Sequence, residues 1–359
     1  MVIKPMMNIC IFVKNLTSGG AEKQSVLLAK ALSDCYETHY IIFNGEKVHQ
    51  KYMDMLKEDP KIHIQYFKGG HGARYNEYVK YLERNNIKAI FSYLTAANFY
   101  ACMAGKKVKA KVFTGLRNAE LPVLKCIADR MLTNRFAEMA ISNSFSGKVN
   151  FVAKGFNESK IIVIPNCFEN IKPYIEKVEK NTRHIITVGR FVPQKDYETA
   201  IHAIAELKKK CNNIAFDIVG YGEQEDQIRE WVKTYNIDDI TSIYINPNNI
   251  AELLDKADIY LSTSLFEGTS NSIMEAMNAD LPIVATNVGD NGLLVRNEIN
   301  GFLCEKRDWK YIANKLEVLI KDNILCKIKG KESKLLLQKE YSVEKFKNAY
   351  VKLLKEIGL

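Results

Sequence analysis

Short apolar runs rich in Ile, Val and Phe alternate along the chain with longer amphipathic segments, and the rhythm restarts once near the middle. A run that is apolar on both faces reads as a strand buried on both sides, and an amphipathic segment as a helix that covers it. In the first half the runs are Asn8–Val13, His39–Phe43, Ile62–Phe67, Ala89–Tyr93, Lys111–Gly115, Glu138–Ser142 and Ile161–Ile164. In the second half they are His184–Val188, Ala215–Val219, Ser242–Ile245, Ile259–Ser262, Ile283–Thr286 and Gly301–Cys304. The pattern predicts an α/β protein of two doubly wound, Rossmann-like domains facing each other across a cleft. The expected boundaries are a first domain at 1–165, a polar linker at 166–182, a second domain at 183–340, and a final helix at 341–359 that packs back on the first domain.

The 359 residues are 47% hydrophobic and 26% charged, enough for two cores of ordinary size. Lys and Arg number 51 against 42 Asp and Glu, a net charge of +9. That excess is too mild and dispersed to argue nucleic-acid binding, but it suits an anionic substrate or membrane surface. Eight scattered cysteines without a C-x-x-C pair or Cys/His cluster read as buried free thiols in a reducing compartment. No apolar stretch approaches the roughly 18 to 20 residues of a membrane span, and no signal peptide is recognisable, so a cytoplasmic location is expected.

Ligands of open α/β sheets bind outside the carboxyl ends of the strands, which directs attention to the loops there. After Ile259–Ser262 comes Leu265-Phe266-Glu267-Gly268-Thr269-Ser270-Asn271, leading into a helix that contains Glu275. Gly268 permits close backbone approach, Ser270 or Asn271 can cap the helix, and the amides from Thr269 to Ser272 offer an anion site. Glu267 and Glu275 flank that site as hydroxyl acceptors, so a diphosphate between two polyols, a nucleotide sugar, matches. Either acid taken alone also reads as an ordinary residue favoured by the helix dipole. After His184–Val188 comes Gly189-Arg190-Phe191-Val192-Pro193-Gln194-Lys195. Arg190 brings a donor fork and Lys195 a point charge, able to neutralise a departing diphosphate. The chain has no Asp-x-Asp motif, so neither metal nor other cofactor is expected.

Gly19-Gly20-Ala21-Glu22 repeats the strand, glycine, helix pattern at the head of the first domain, as a ligand-skirting loop or a tight turn, with Glu22 a first-turn acid. Gly220-Tyr221-Gly222 begins like a dinucleotide fingerprint but lacks the third glycine, which argues against NAD and leaves room for a nucleotide against Gly220. Arg117, in Thr114-Gly115-Leu116-Arg117-Asn118-Ala119-Glu120, is the acceptor-recognition candidate, with a structural surface arginine as the alternative. Lys106, Lys107, Lys109 and Lys111 suit either solvent or a lipid head group.

In order and spacing, Gly19-Gly20-Ala21-Glu22, Ile164-Pro165-Asn166, Gly189-Arg190 with Lys195, Gly220-Tyr221-Gly222, and Glu267 to Glu275 resemble glycosyltransferase family 4, of the GT-B fold. The resemblance spans almost the whole chain. It implies a retaining transferase that takes a nucleotide sugar, with Arg190 and Lys195 on the diphosphate, Glu275 on the ribose and Glu267 near the donor sugar. Many members carry a first-domain histidine where this chain reads Ser92-Tyr93-Leu94-Thr95-Ala96-Ala97-Asn98, leaving Thr95 or Asn98 as the hydrogen-bonding group for sugar or acceptor. The expected reaction moves a hexose or N-acetylhexosamine from a UDP-type donor to a glycan or lipid-linked glycan in surface polysaccharide or glycoconjugate synthesis. The alternatives are a nucleotide-sugar 2-epimerase and a non-catalytic glycan-binding relative.

Overall fold

A computed structural model describes residues 6–46, 48–117, 122–178 and 180–359. The chain divides into two units, Met1–Glu169 with Tyr341–Leu359, and Asn170–Glu340. Each is built on one parallel sheet, the α/β organisation that the alternation of the sequence predicts.

The first unit holds seven strands: β1 (Asn8–Val13), β2 (Glu37–Ile42), β3 (Ile62–Tyr66), β4 (Ala89–Tyr93), β5 (Lys111–Leu116), β6 (Met139–Ser142) and β7 (Ile161–Val163). Their order is β3-β2-β1-β4-β5-β6-β7, so the direction of winding reverses between β1 and β4. Such a reversal splays the following loops apart and opens a crevice at the strand ends. The helices Gly20–Leu32 and Val343–Glu356 pack together on one face, and Phe346 and Tyr350 of the latter join the core around Phe91. Phe91 and Tyr350 meet edge to face at 5.3 Å between ring centroids.

In the second unit the strands are β8 (Arg183–Arg190), β9 (Ile214–Tyr221), β10 (Thr241–Ile245), β11 (Ile259–Ser262), β12 (Ile283–Thr286) and β13 (Gly301–Cys304), ordered β10-β9-β8-β11-β12-β13. The reversal here lies between β8 and β11. β8 runs beyond the apolar stretch His184–Val188 because its backbone pairs with β9 through Gly189↔Gly220 and Arg190↔Tyr221 regardless of side-chain polarity. Arg190 is therefore the last residue of a strand.

Residues 170–178 are not a free tether. The amide of Lys172 bonds Asn278 Oδ1 at 2.8 Å, and Lys177 Nζ caps the carbonyls of Asp255 at 2.7 Å and Ala257 at 2.9 Å. Burial among those carbonyls lowers the Lys177 pKa to about 8, against the opposing attraction of Asp258. All eight cysteines are free thiols, but three are not buried: Cys35 is exposed and Cys126 and Cys211 are half-buried. These three sit on solvent-facing positions of turns and helix edges that the residue type alone does not reveal. No helix among the described residues is long and apolar enough to cross a membrane.

Candidate functional site

In the second unit the loops after β8 and β11 are bound to each other before any ligand is considered. Leu265 N donates to Gln194 O at 2.8 Å, Gln194 Nε2 donates to Phe266 O at 2.8 Å, and Thr263 Oγ1 donates to the carbonyls of Lys195 and Asp196. These bonds bring Lys195 Nζ to 2.5 Å from Glu267 Oε1, which also accepts the Ser264 hydroxyl at 2.7 Å. Both side chains are largely buried, at 16% and 10% exposure, so the pair is screened far less than one on the surface. The Lys195 stem runs beside Gly189, where a Cβ would lie 3.2 Å from its Cε. Gly189 O accepts the Tyr197 hydroxyl at 2.9 Å.

The following loop turns into the helix Asn271–Asn278, capped by Ser270, whose hydroxyl accepts from Ile273 N at 3.5 Å. The amides of Asn271 and Ser272 have no acceptor among the described residues. Gly268 O accepts from Asp290 N at 3.3 Å, and Thr269 Oγ1 donates to Asp290 Oδ2 at 3.5 Å. Behind this loop, Gly289 at φ +55° presses on the Glu267 carbonyl, where no Cβ would fit. Glu275 lies half-buried one turn into the helix. Arg190 is exposed, and its guanidinium has no hydrogen-bond or ion-pair partner among the described residues.

The structure thus groups Gly189, Lys195, Glu267, Gly268, Thr269, Ser270 and Asn271 at the carboxyl ends of β8 and β11, with Arg190 beside them. Lys195 is spoken for by Glu267, leaving Arg190 and the helix amides as the groups ready for an anion. Gly220 serves otherwise than expected: it is buried, and an added Cβ would run into the Gly189 carbonyl, so its missing side chain permits the close pairing of β8 with β9 and offers no surface to a ligand.

In the first unit a cavity of about 250 Å³ opens at the carboxyl ends of β1, β4 and β5. Its wall includes Lys14, Asn15, Glu22, Thr95, Arg117 and Asp129. Asp129 is 2% exposed. It accepts Thr95 Oγ1 at 2.6 Å and Asn98 Nδ2 at 2.9 Å. Burial raises its pKa, against the lowering effect of those two hydrogen bonds and of Lys125. Leu94, also in the wall, has φ +73°, a strained backbone for a bulky residue and of the kind found at ligand sites.

Thr95 therefore reaches the cavity, whereas Asn98 does not. Asn98 is fully buried, its Oδ1 accepting Ser92 Oγ at 2.8 Å and the Gly115 amide at 3.2 Å while its Nδ2 holds Asp129. Its role is to fix the carboxylate. The Arg117 guanidinium lies over the Tyr93 ring at 4.4 Å and donates to Asn166 Oδ1 and the Tyr350 hydroxyl, each at 3.3 Å. That places Asn166 of the Ile164-Pro165-Asn166 motif behind the cavity wall. Asn118–Glu120 of the Arg117 motif lie outside the described residues. Glu22 lines the cavity and accepts the Thr17 hydroxyl at 2.7 Å, while Gly19 and Gly20 shape the turn that brings it there. Lys111 is committed to Glu138 at 3.2 Å and to the Ile357 carbonyl at 3.0 Å, which takes it out of the basic segment's free charge. Asp129 and Lys125 were not legible as site residues, because they lie inside the helix that follows the Gly115–Arg117 loop, where an acid or lysine ordinarily faces water. Among the described residues, no three His, Cys, Asp or Glu side chains converge as metal ligands do.

Residues 169–335 match the family model of glycosyl transferases group 1. An uncharacterized glycosyltransferase of Haemophilus influenzae is 27% identical over 95% of this chain and 98% of its own length. From Campylobacter jejuni, N-acetylgalactosamine-N,N'-diacetylbacillosaminyl-diphospho-undecaprenol 4-alpha-N-acetylgalactosaminyltransferase is 24% identical over 90% of this chain and 92% of its own. Anabaena HepE, crystallised with UDP, superposes with a TM-score of 0.82 at 18% identity, covering 98% of this chain and 100% of that one. That likeness shows the fold, the GT-B class implied by the sequence resemblance. The matches support a glycosyltransferase.

Proposed function

We propose that this chain is a retaining glycosyltransferase that moves a hexose or N-acetylhexosamine from a UDP-sugar to a hydroxyl of a lipid-linked glycan. The observation that carries the reading is the preassembled Lys195–Glu267 pair and a capped helix with open amides at the strand ends where β8 finishes in the exposed Arg190. Such a set is suited to a pyrophosphate, whose charge grows as the sugar leaves. HepE, whose fold this chain shares, is seen with UDP, and the Campylobacter relative is named for a diphospho-undecaprenol acceptor; both favour the substrate classes proposed.

In this mechanism the acceptor oxygen bonds the anomeric carbon on the face from which the diphosphate departs. The bond from that carbon to the diphosphate oxygen breaks, and the acceptor proton passes to the departing diphosphate. Arg190 and the amides of Asn271 and Ser272 meet the developing negative charge. Lys195 is held by Glu267 so that its ammonium stands at a fixed place, and Glu275 takes the ribose hydroxyls. Asp129, with Thr95, orients the acceptor hydroxyl in the cavity of the first unit. The chain's own cations neutralise the diphosphate in this scheme, so transfer is expected to persist in EDTA.

A panel of nucleotide sugars screened by thermal shift tests the donor, since a ligand that binds the native state raises its apparent stability. UDP-sugars should raise the melting temperature and guanosine or cytidine analogues should not. No stabilisation by any UDP compound, or an epimerised sugar formed from donor alone, would overturn the reading.

A further inference from the structure

The helix Val123–Arg135 is turned inside out. Helices of a globular domain bury an apolar stripe and show water a polar one. Here the inward face carries Asp129 and Thr133, at 2% and 0% exposure, beside a single buried leucine, Leu132, while Leu124, Ile127 and Met131 stand out at 82%, 48% and 50%. A single exposed leucine means little, but three large apolar residues at spacings of three and four form a continuous stripe along one face. Val123 extends it at 74% exposure.

The surroundings are cationic. Between Pro122 and Gly155 the basic residues are Lys125, Arg130, Arg135, Lys154 and Lys148, the last paired with Glu158 at 3.7 Å, and the acids are the buried Asp129 and Glu138, already paired with Lys111. Lys106 adds its ammonium 5.9 Å from the Phe136 ring just past the helix end. Arg130 ties the helix to the next one by donating to the Lys154 carbonyl at 3.1 Å, and that next helix exposes Val149 at 70%. An apolar stripe edged by long cationic side chains is the construction of a helix lying in the plane of a bilayer, with the apolar groups among the acyl chains and the cations at the head groups.

We infer that the helix Val123–Arg135 docks the protein on an anionic lipid surface. The same helix lends Asp129 and Lys125 to the cavity from its other sides, so a polar group carried by a lipid would have only the thickness of one helix to cross. The inference goes beyond the proposed transfer reaction and is read separately from it.

The test is co-sedimentation of the full chain with vesicles of phosphatidylcholine alone and of phosphatidylcholine containing phosphatidylglycerol. Binding should be confined to the anionic vesicles and weaken as salt is added. The triple variant Leu124→Ser/Ile127→Ser/Met131→Ser should bind about tenfold less. Arg135→Gln should cost about fivefold, the share of one cation near such a surface. Both should keep the parent's circular dichroism and its UDP thermal shift, which separates loss of docking from loss of fold and from failure of the donor reading. The inference is overturned if the parent ignores anionic vesicles, if the serine variant binds them as the parent does, or if the parent is a dimer that the serine substitutions convert to monomer.

Discussion

The two units carry their chemistry in opposite ways. The second builds its site from main chain and from side chains on two facing loops: helix amides, glycines that admit close approach, and the Lys195–Glu267 pair locked between loop carbonyls. In the first, the cavity is made of side chains drawn from separate elements, with Thr95, Asp129 and Arg117 held by Asn98, Asn166 and Tyr350. Backbone sites are specified by short runs of sequence and tolerate change at many neighbouring positions. Side-chain sites are specified by packing, and each member depends on a partner far along the chain.

The contrast can be broken most sharply at Arg190. Replacing it with alanine leaves the loop framework intact and removes a cation with no hydrogen-bond or ion-pair partner among the described residues, so turnover should fall about a thousandfold, roughly 4 kcal/mol. UDP affinity should fall by no more than about tenfold, and steady-state kinetics beside calorimetry would show the split. Equal losses in turnover and UDP affinity would place Arg190 in ground-state binding instead. Asp129→Asn comes next. It keeps one acceptor oxygen, for either Thr95 or Asn98, and surrenders the charge and the other acceptor, and transfer to acceptor should drop about a hundredfold while slow hydrolysis of donor in water continues. The same variant has a pH signature. Because burial raises the Asp129 pKa, protonated Asp129 favours folding below the ordinary carboxylate range, and that contribution is lost as pH rises through the elevated value. Denaturant titration should therefore show the parent losing ground to Asp129→Asn with rising pH.

Gly289→Ala probes the backbone side of the comparison. At φ +55° and against the Glu267 carbonyl, a methyl group should cost about 2 kcal/mol of stability and loosen the Lys195–Glu267 pair. Thermal unfolding and UDP binding should suffer together, whereas the first unit should be untouched. Tyr350→Phe sharpens the other side with the smallest effect. Loss of one hydrogen bond to Arg117 should cost about 1 kcal/mol, seen as a few-fold rise in acceptor KM with donor KM unchanged.

This difference also explains what could be read without coordinates. The alternating runs located the strands, and the loops after Val188 and Ser262 announced their chemistry through residues only a few positions apart. Arg190, Lys195 and Glu267 were legible because a glycine, a strand end and a helix start each have local signatures. Asp129 was not, since an acid in a helix normally faces water and nothing near it in sequence marks it as buried. Asn98 was legible as polar at the right strand end, but its zero exposure follows from bonds to Ser92, Gly115 and Asp129 that only folding brings together. Gly220 looked like a ligand glycine because close strand pairing and ligand approach make the same demand for a missing Cβ.

Tyr350 belongs to the core that surrounds Phe91 and bonds the arginine of the cavity wall, although some 230 positions separate it from Arg117. During synthesis the first seven strands leave the ribosome while that tyrosine is still untranslated. The part of the protein made earliest is consequently among the last to be finished, and a chain stalled before residue 350 would present the first unit's cavity with its arginine held only by Asn166 and the Tyr93 ring.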